Sequence, residues 1–235
     1  MRGLPAGICK ATSRRMNTDS PAVPIDGMNR LIEGYRRFRA NGWASNRERW
    51  AALREGQEPD VMIIACSDSR VDPSQIFDVD PGEVFVVRNV AAMVPPFETS
   101  PGHHGVSAAL EFAVQFLKVK EVMVMGHGMC GGCKAALTRE MHGTKPGEGG
   151  FIADWIAMLD DAREAVVREH GSEGSVAERA MEKAGVKVSL ANLRTFPCVR
   201  EKEQSGELKL TGAFFAISDG LLHVLNEAAG TFDPI

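Results

Sequence analysis

"VMIIACSDSRV", Val61 to Val71, carries two signals that meet at one residue. Val61 to Ala65 is an unbroken apolar run of the kind that a strand buried on both faces requires, and such strands belong to parallel sheets. The run ends abruptly in Cys66, Ser67, Asp68, Ser69 and Arg70, so a thiol, a carboxylate and a guanidinium leave the mouth of a hydrophobic strand together. Open parallel sheets bind their ligands just beyond the carboxyl ends of the strands, which puts these groups where chemistry is done.

Two further Val-rich runs, "VFVVRN" (84–89) and "VMVMGH" (122–127), also end in polar residues and read as central strands. Between them, in "HGVSAALEFAVQFLKVK" (104–120), Val106, Leu110, Ala113, Val114 and Leu117 fall on one helical face. Strand, helix and strand in that order imply a right-handed parallel crossover. Upstream, residues 27–54 read as two amphipathic helices with a break at Gly42. Downstream, a short helix begins near Cys133, and longer ones span Phe151 to Glu169 and Ser175 to about Arg194. Gly143 to Gly150 reads as a flexible loop, and "ELKLTGAFFAISDGLLHVLN" (207–226) as a strand, a turn at Asp219 and Gly220, and a strand or helix. The expected fold is α/β, with a mainly parallel central sheet flanked by helices. Residues 27–235 form one domain behind an extension of residues 1–26.

Composition narrows the partners. With 27 Lys plus Arg against 31 Asp plus Glu and no single-sign block, a nucleic-acid partner is not expected. No apolar run approaches the roughly 18 residues of a membrane span, so a soluble chain is expected. "MRGLPAGICKATSRR" lacks the apolar segment of a secretory signal, which leaves a flexible leader, a start at Met16 or a short transit peptide. Five cysteines (9, 66, 130, 133 and 198) are an odd number in a chain too long to need disulfide staples. That usage points to a reducing, cytoplasmic setting where free thiols serve as ligands or nucleophiles.

Two of the three strands end in zinc-type ligands. The first delivers Cys66; the third delivers His127 and then, in "GHGMCGGC", Cys130. Thiolate, imidazole and thiolate leave the fourth tetrahedral position open, as catalytic zinc sites do. Each residue also has a plainer reading. Cys66 alone could be a small core residue, His127 a helix-start histidine, and Cys130 with Cys133 a redox pair or half of a zinc ribbon. A ribbon needs a second C-x-x-C, which the chain lacks. Asp68 and Arg70 favour the catalytic reading, because neither a ribbon nor a redox dithiol needs an ion pair beside the metal. A metal-held water does: a carboxylate can orient it, and an arginine can keep that carboxylate ionised.

"CSDSR", "FVVRNVA" and "HGMCGG", in that order, resemble the motif set of the beta-class carbonic anhydrases, in their plant-like subgroup, from about Gly27 to the C-terminus. The resemblance implies one Zn²⁺ per subunit on Cys66, His127 and Cys130, with Asp68 and Arg70 as catalytic dyad. The implied reaction is reversible hydration of carbon dioxide to bicarbonate and a proton by zinc-bound hydroxide. It implies that Gln57, nine residues before Cys66, orients the substrate, and that Phe85, Val90 and Phe112 line an apolar pocket. It also implies a homodimer or higher even-numbered homo-oligomer, with the N-terminal helices packing on the partner.

The chain departs from the family pattern in places. Phe112 stands where tyrosine is frequent, Ala92 where asparagine is common, and Gly128 where serine is common. One regulated subgroup binds inhibitory bicarbonate using a tryptophan three residues before the first cysteine and a later tyrosine. Here those features are Ile63 and no tyrosine beyond Tyr35, so no such regulation is expected and the zinc is expected to hold water instead of Asp68. His103 and His104 are candidates for carrying the proton. The alternatives are a hydrolase of carbon disulfide or carbonyl sulfide on the same scaffold, and a non-catalytic zinc or redox protein.

Overall fold

The computed structural model describes residues 27–235. The readings of residues 1–26, Cys9 included, lie outside the described residues. The chain divides after Glu55 into two compact units. The first holds α1 (Gly27–Ala40), α2 (Gly42–Ser45) and α3 (Arg47–Ala52), three helices where two were expected, with the breaks at Asn41 and Asn46 and Gly42 opening α2. Within this unit Phe38 meets Trp50 edge-on at 5.9 Å, and the guanidinium groups of Arg39 and Arg47 lie over the Trp43 ring. α1 buries none of its residues. Its apolar stripe of Met28, Leu31, Ile32, Tyr35 and Phe38 is 39% to 69% exposed.

The second unit is built on a six-stranded sheet: β1 (Val61–Cys66), β2 (Val84–Asn89), β3 (Glu121–His127), β4 (Lys209–Ala216), β5 (Leu221–Asn226) and β6 (Thr231–Pro234). The strand order is β2-β1-β3-β4-β5-β6. β2, β1, β3 and β4 run parallel, and β5 and β6 add antiparallel at one edge. The apolar run decides β1, which is buried on both faces from Met62 onward. Met62 and Ile64 enter the core with Val122, Val124, Leu110, Leu190 and Phe214, while Ile63 and Ala65 join Met125 and Ala213.

The helices are α4 (Pro73–Ile76), α5 (Gly105–Glu111), α6 (Gly131–Thr138), α7 (Gly150–Ile156), α8 (Asp160–His170), α9 (Ser175–Leu193) and α10 (Pro197–Ser205). None of the described helices is long and apolar enough to cross a membrane. α5 runs on into a π-helical turn at Phe112–Leu117 and ends at a left-handed Lys118. The helix expected over residues 151–169 is divided by a 3-10 turn at Ala157–Leu159. The second half of the C-terminal segment is a strand, because the Asp219 carboxylate accepts from Leu221 N at 3.0 Å and shapes a tight turn that sends β5 back along β4.

Arg194 clamps the end of α9. Its guanidinium donates to Glu203 of α10 at 2.8 to 3.1 Å and to Glu227 after β5 at 2.8 and 2.9 Å. Two-sided charge-assisted bonding at a partly buried arginine exceeds an isolated surface pair. Arg194→Ala is expected to destabilise the fold by about 1–2 kcal/mol, read as a melting midpoint lowered by roughly 2–8 °C. An unchanged midpoint would show the clamp to be dispensable.

The topology fixes where a site can form. From β1 the chain moves to β2 on one side and later returns as β3 on the other. The connections therefore diverge between the carboxyl ends of β1 and β3, which opens a crevice there.

Candidate metal centre

Cys66 ends β1, His127 ends β3, and Cys130 precedes the first residue of α6. All three converge in that crevice, with ligand atoms within 4.8 Å of one another. Two bonds of about 2.3 Å at a tetrahedral angle set sulfurs roughly 3.8 Å apart, so the spacing suits a shared ion. Each residue is at most 6% exposed. The His127 ring is fixed by Nδ1 donating to the Gly128 carbonyl at 2.9 Å. That tautomer turns the Nε2 lone pair toward the sulfurs, and Nε2, though buried, makes no hydrogen bond of normal geometry. An orphaned buried imidazole nitrogen between two thiols is what a soft-ligand metal site leaves when only protein atoms are drawn.

Both thiols are held protonated in the metal-free chain. Hydrogen bonding to the Cys130 sulfur, with burial, pushes Cys66 up to about 12. Cys130 is pushed up to about 12 by its hydrogen bond to Cys133, with burial adding to it. Cys133 is buried in α6 and stands outside the three-atom cluster.

Beside the cluster, Arg70 grips Asp68 two-handed: Nε donates to Oδ1 at 2.9 Å and Nη2 to Oδ2 at 2.7 Å. The backbone N–H of Arg70 adds a third bond to Oδ1 at 3.0 Å. The guanidinium holds the Asp68 carboxyl well below the usual carboxylate range. Nη2 also donates to the Met129 carbonyl at 3.0 Å, tying the pair to the loop that carries Cys130. That loop turns sharply, with Met129 in the left-handed region at φ 58°.

Arg88 fastens the segment after β1. It donates to the carbonyls of Cys66 (2.9 Å) and Asp68 (2.6 Å) and to the Asp72 carboxylate (2.8 Å). Asn89 exchanges two 2.8 Å bonds with the Met93 backbone and closes the turn through Ala91 and Ala92, both left-handed. α6 approaches this turn so closely that a Cβ on Gly132 would lie 2.8 Å from Val90 Cγ1, which only glycine avoids.

Comparison with known proteins decides the family. A family profile described as carbonic anhydrase matches residues 61–222, and "Beta carbonic anhydrase 3" of Arabidopsis thaliana is 35% identical over 217 residues, covering 92% of this chain and 82% of the relative. The chain belongs to the beta-class carbonic anhydrases. The structure of the beta-carbonic anhydrase CcaA superposes with a TM-score of 0.83 at 30% identity, covering 89% of this chain and 100% of that one. The beta-carbonic anhydrase CafA of Aspergillus fumigatus gives 0.74 at 29% identity over 86% and 91%. Tetrameric beta-carbonic anhydrases from Sordaria macrospora give 0.70 at 27% identity over 85% and 96%. As a carbonic anhydrase the protein is a carbonate dehydratase, a lyase acting between carbon dioxide and bicarbonate.

The remaining candidate residues of this carbonic anhydrase are not all drawn to the cluster. Val90 adjoins Gly132 and gives its carbonyl to Trp155 Nε1 at 2.9 Å. Phe85 meets Phe112 at 5.9 Å, and Phe112 stacks on Phe116 at 5.8 Å. Val90 and Phe112 are 38% and 44% exposed, and Gln57 is exposed in the segment before β1. His104 is anchored by the Ser100 carbonyl at 2.9 Å, whereas its neighbour His103 is exposed. One residue escaped the sequence reading: Glu182 of α9, buried, accepts from Cys130 N at 3.1 Å. Its signal is an acidic residue on the otherwise apolar stripe of Ala177, Met181, Val186 and Leu190.

Proposed function

We propose that this carbonic anhydrase hydrates carbon dioxide with one zinc ion per subunit on Cys66, His127 and Cys130, and with Asp68 and Arg70 as its catalytic pair. One observation carries the reading: a buried thiol, imidazole and thiol with an unpartnered nitrogen stand beside a carboxylate locked by a guanidinium. Zinc, when bound, supplies Lewis-acid chemistry that lowers the pKa of water toward neutrality. The value of about 7 found with three histidine ligands does not transfer, because two thiolates donate more charge than two imidazoles. Asp68 then accepts a hydrogen bond from the attacking water and fixes its direction. Arg70 keeps Asp68 ionised and, through the Met129 carbonyl, in register with the ligand loop.

Carbon dioxide is apolar, so Phe85, Val90 and Phe112 are suited to receive it, and the Gln57 amide is suited to donate to its oxygen. The exposed faces of Val90, Phe112 and the α1 stripe support completion of this pocket by a second copy, giving a homodimer or larger even-numbered assembly. The tetrameric Sordaria relatives support the same reading. Residues 27–235 then act as one catalytic domain, and the cysteine usage supports a cytoplasmic setting. Ile63, buried in β1, supports the absence of an inhibitory bicarbonate site.

The test is metal content together with stopped-flow hydration of carbon dioxide, before and after stripping with a chelator, with carbon disulfide run in parallel. About one zinc per chain, activity lost on stripping and restored by zinc, and carbon dioxide as the faster substrate are expected. Substoichiometric zinc, or faster turnover of the sulfur compound, would sink the reading.

A further inference from the structure

We propose that Glu182 is a positioning residue for the metal centre: its Oε1 fixes the Cys130 backbone, and so the direction in which the Cys130 sulfur points. Glu182 lies on α9, 52 residues along the chain from Cys130, and is 3% exposed. A carboxylate buried beside Met181 and Val186 is costly unless a specific interaction offsets its lost hydration. The Cys130 N–H, 3.1 Å from Oε1, supplies part of that. Arg179, one turn earlier, brings its positive charge to the other oxygen, with Nε 3.2 Å from Oε2.

Arg179 is itself held in place, its guanidinium 4.8 Å over the Phe214 ring. It also lies against Gly128: a Cβ there would stand 3.3 Å from Arg179 Nη2. Gly128 is the residue whose carbonyl fixes the His127 ring. One turn of α9 therefore reaches both halves of the ligand loop, Arg179 at the His127 side and Glu182 at Cys130. The left-handed Met129 lies between these two holds, and a loop kinked there needs support from outside itself to keep two ligands aimed at one point.

The inference rests on the metal reading of the site, and zinc affinity of the wild type separates the two. Competition with a chromophoric chelator is measured for the wild type, Glu182→Leu, Glu182→Gln and Arg179→Met. Glu182→Leu is expected to weaken zinc binding about 10- to 100-fold. Glu182→Gln keeps an acceptor for the Cys130 N–H and is expected to restore affinity to within about threefold of the wild type. Arg179→Met, which leaves Glu182 unbraced, is expected to fall between them. The thiolate-to-metal charge-transfer band of the cobalt-substituted protein should shift in Glu182→Leu and return in Glu182→Gln, which a general loss of stability does not produce. If Glu182→Leu fails to fold, the Gln and Met variants still decide. Wild-type affinity in Arg179→Met and Glu182→Leu, or a glutamine that does not rescue, overturns the proposal; a wild type that holds no zinc overturns the metal reading instead.

Discussion

Asp68→Asn is expected to keep its zinc and to lose carbon dioxide hydration by about 10²-fold or more, the usual size of a positioned acid–base group. The substitution is isosteric and leaves Cys66, His127 and Cys130 untouched, so metal content is the internal control. What changes is the acceptor. The wild-type carboxylate takes three bonds from Arg70, and the guanidinium keeps it ionised far into the acid range. A group with a depressed pKa is fully ionised above its unperturbed value and loses that state only as the pH falls through the lowered one. Asp68 therefore does not titrate between pH 6 and 9, and the deficit of the variant should be the same factor across that window. Arg70→Lys should show a smaller loss, since an ammonium replaces the two-handed grip with a single point charge. Stopped-flow rates at several pH values read both effects. Full activity of Asp68→Asn at every pH would remove the dyad from the mechanism.

Zinc affinity of the metal-free chain should rise at least about 100-fold for each unit of pH between 7 and 9. Cys66 and Cys130 are both pushed up to about 12, so both are thiols throughout that window. Zinc binds thiolates, so each binding event releases at least two protons, one from each thiol, and the apparent constant varies at least with the inverse square of proton activity. The sign follows directly: raising the pH tightens binding and lowering it strips the site. Calorimetric titration in two buffers of different ionisation enthalpy counts the protons. Cys66→Ser should release one fewer proton and bind far more weakly. A wild-type count near zero would mean that the thiols are not the ligands.

Much of the candidate centre was legible because Cys66 and His127 sit where strands stop and Cys130 follows three residues later. An apolar run that ends in "CSDSR" declares both a buried strand and a polar crevice, and "VMVMGH" does the same for β3. The parallel core followed from these runs and the helix between them. What stayed hidden involves contacts without a local pattern. Glu182 acts on a backbone N–H 52 residues away, and no spacing of side chains encodes that. α10 was missed in "TFPCVREKEQSG" because its apolar face is short, although Pro197 at its start and a left-handed Gly206 at its end mark it. The 3-10 turn at Ala157–Leu159 has no glycine or proline to announce it.

The crevice between β1 and β3 has one more consequence. Its three candidate ligands come from the ends of two strands and the threshold of a helix, positions spread between residues 66 and 130, so they meet only in the folded chain. A metal held there is a removable cross-link, and mass action makes its supply part of the folding equilibrium. At a free concentration 1,000 times its Kd, such a ligand adds about 4.1 kcal/mol to stability, a large share of what a domain ordinarily possesses. Starving a cell of the metal should therefore cost it the protein as well as the activity, as emptied chains open and are degraded.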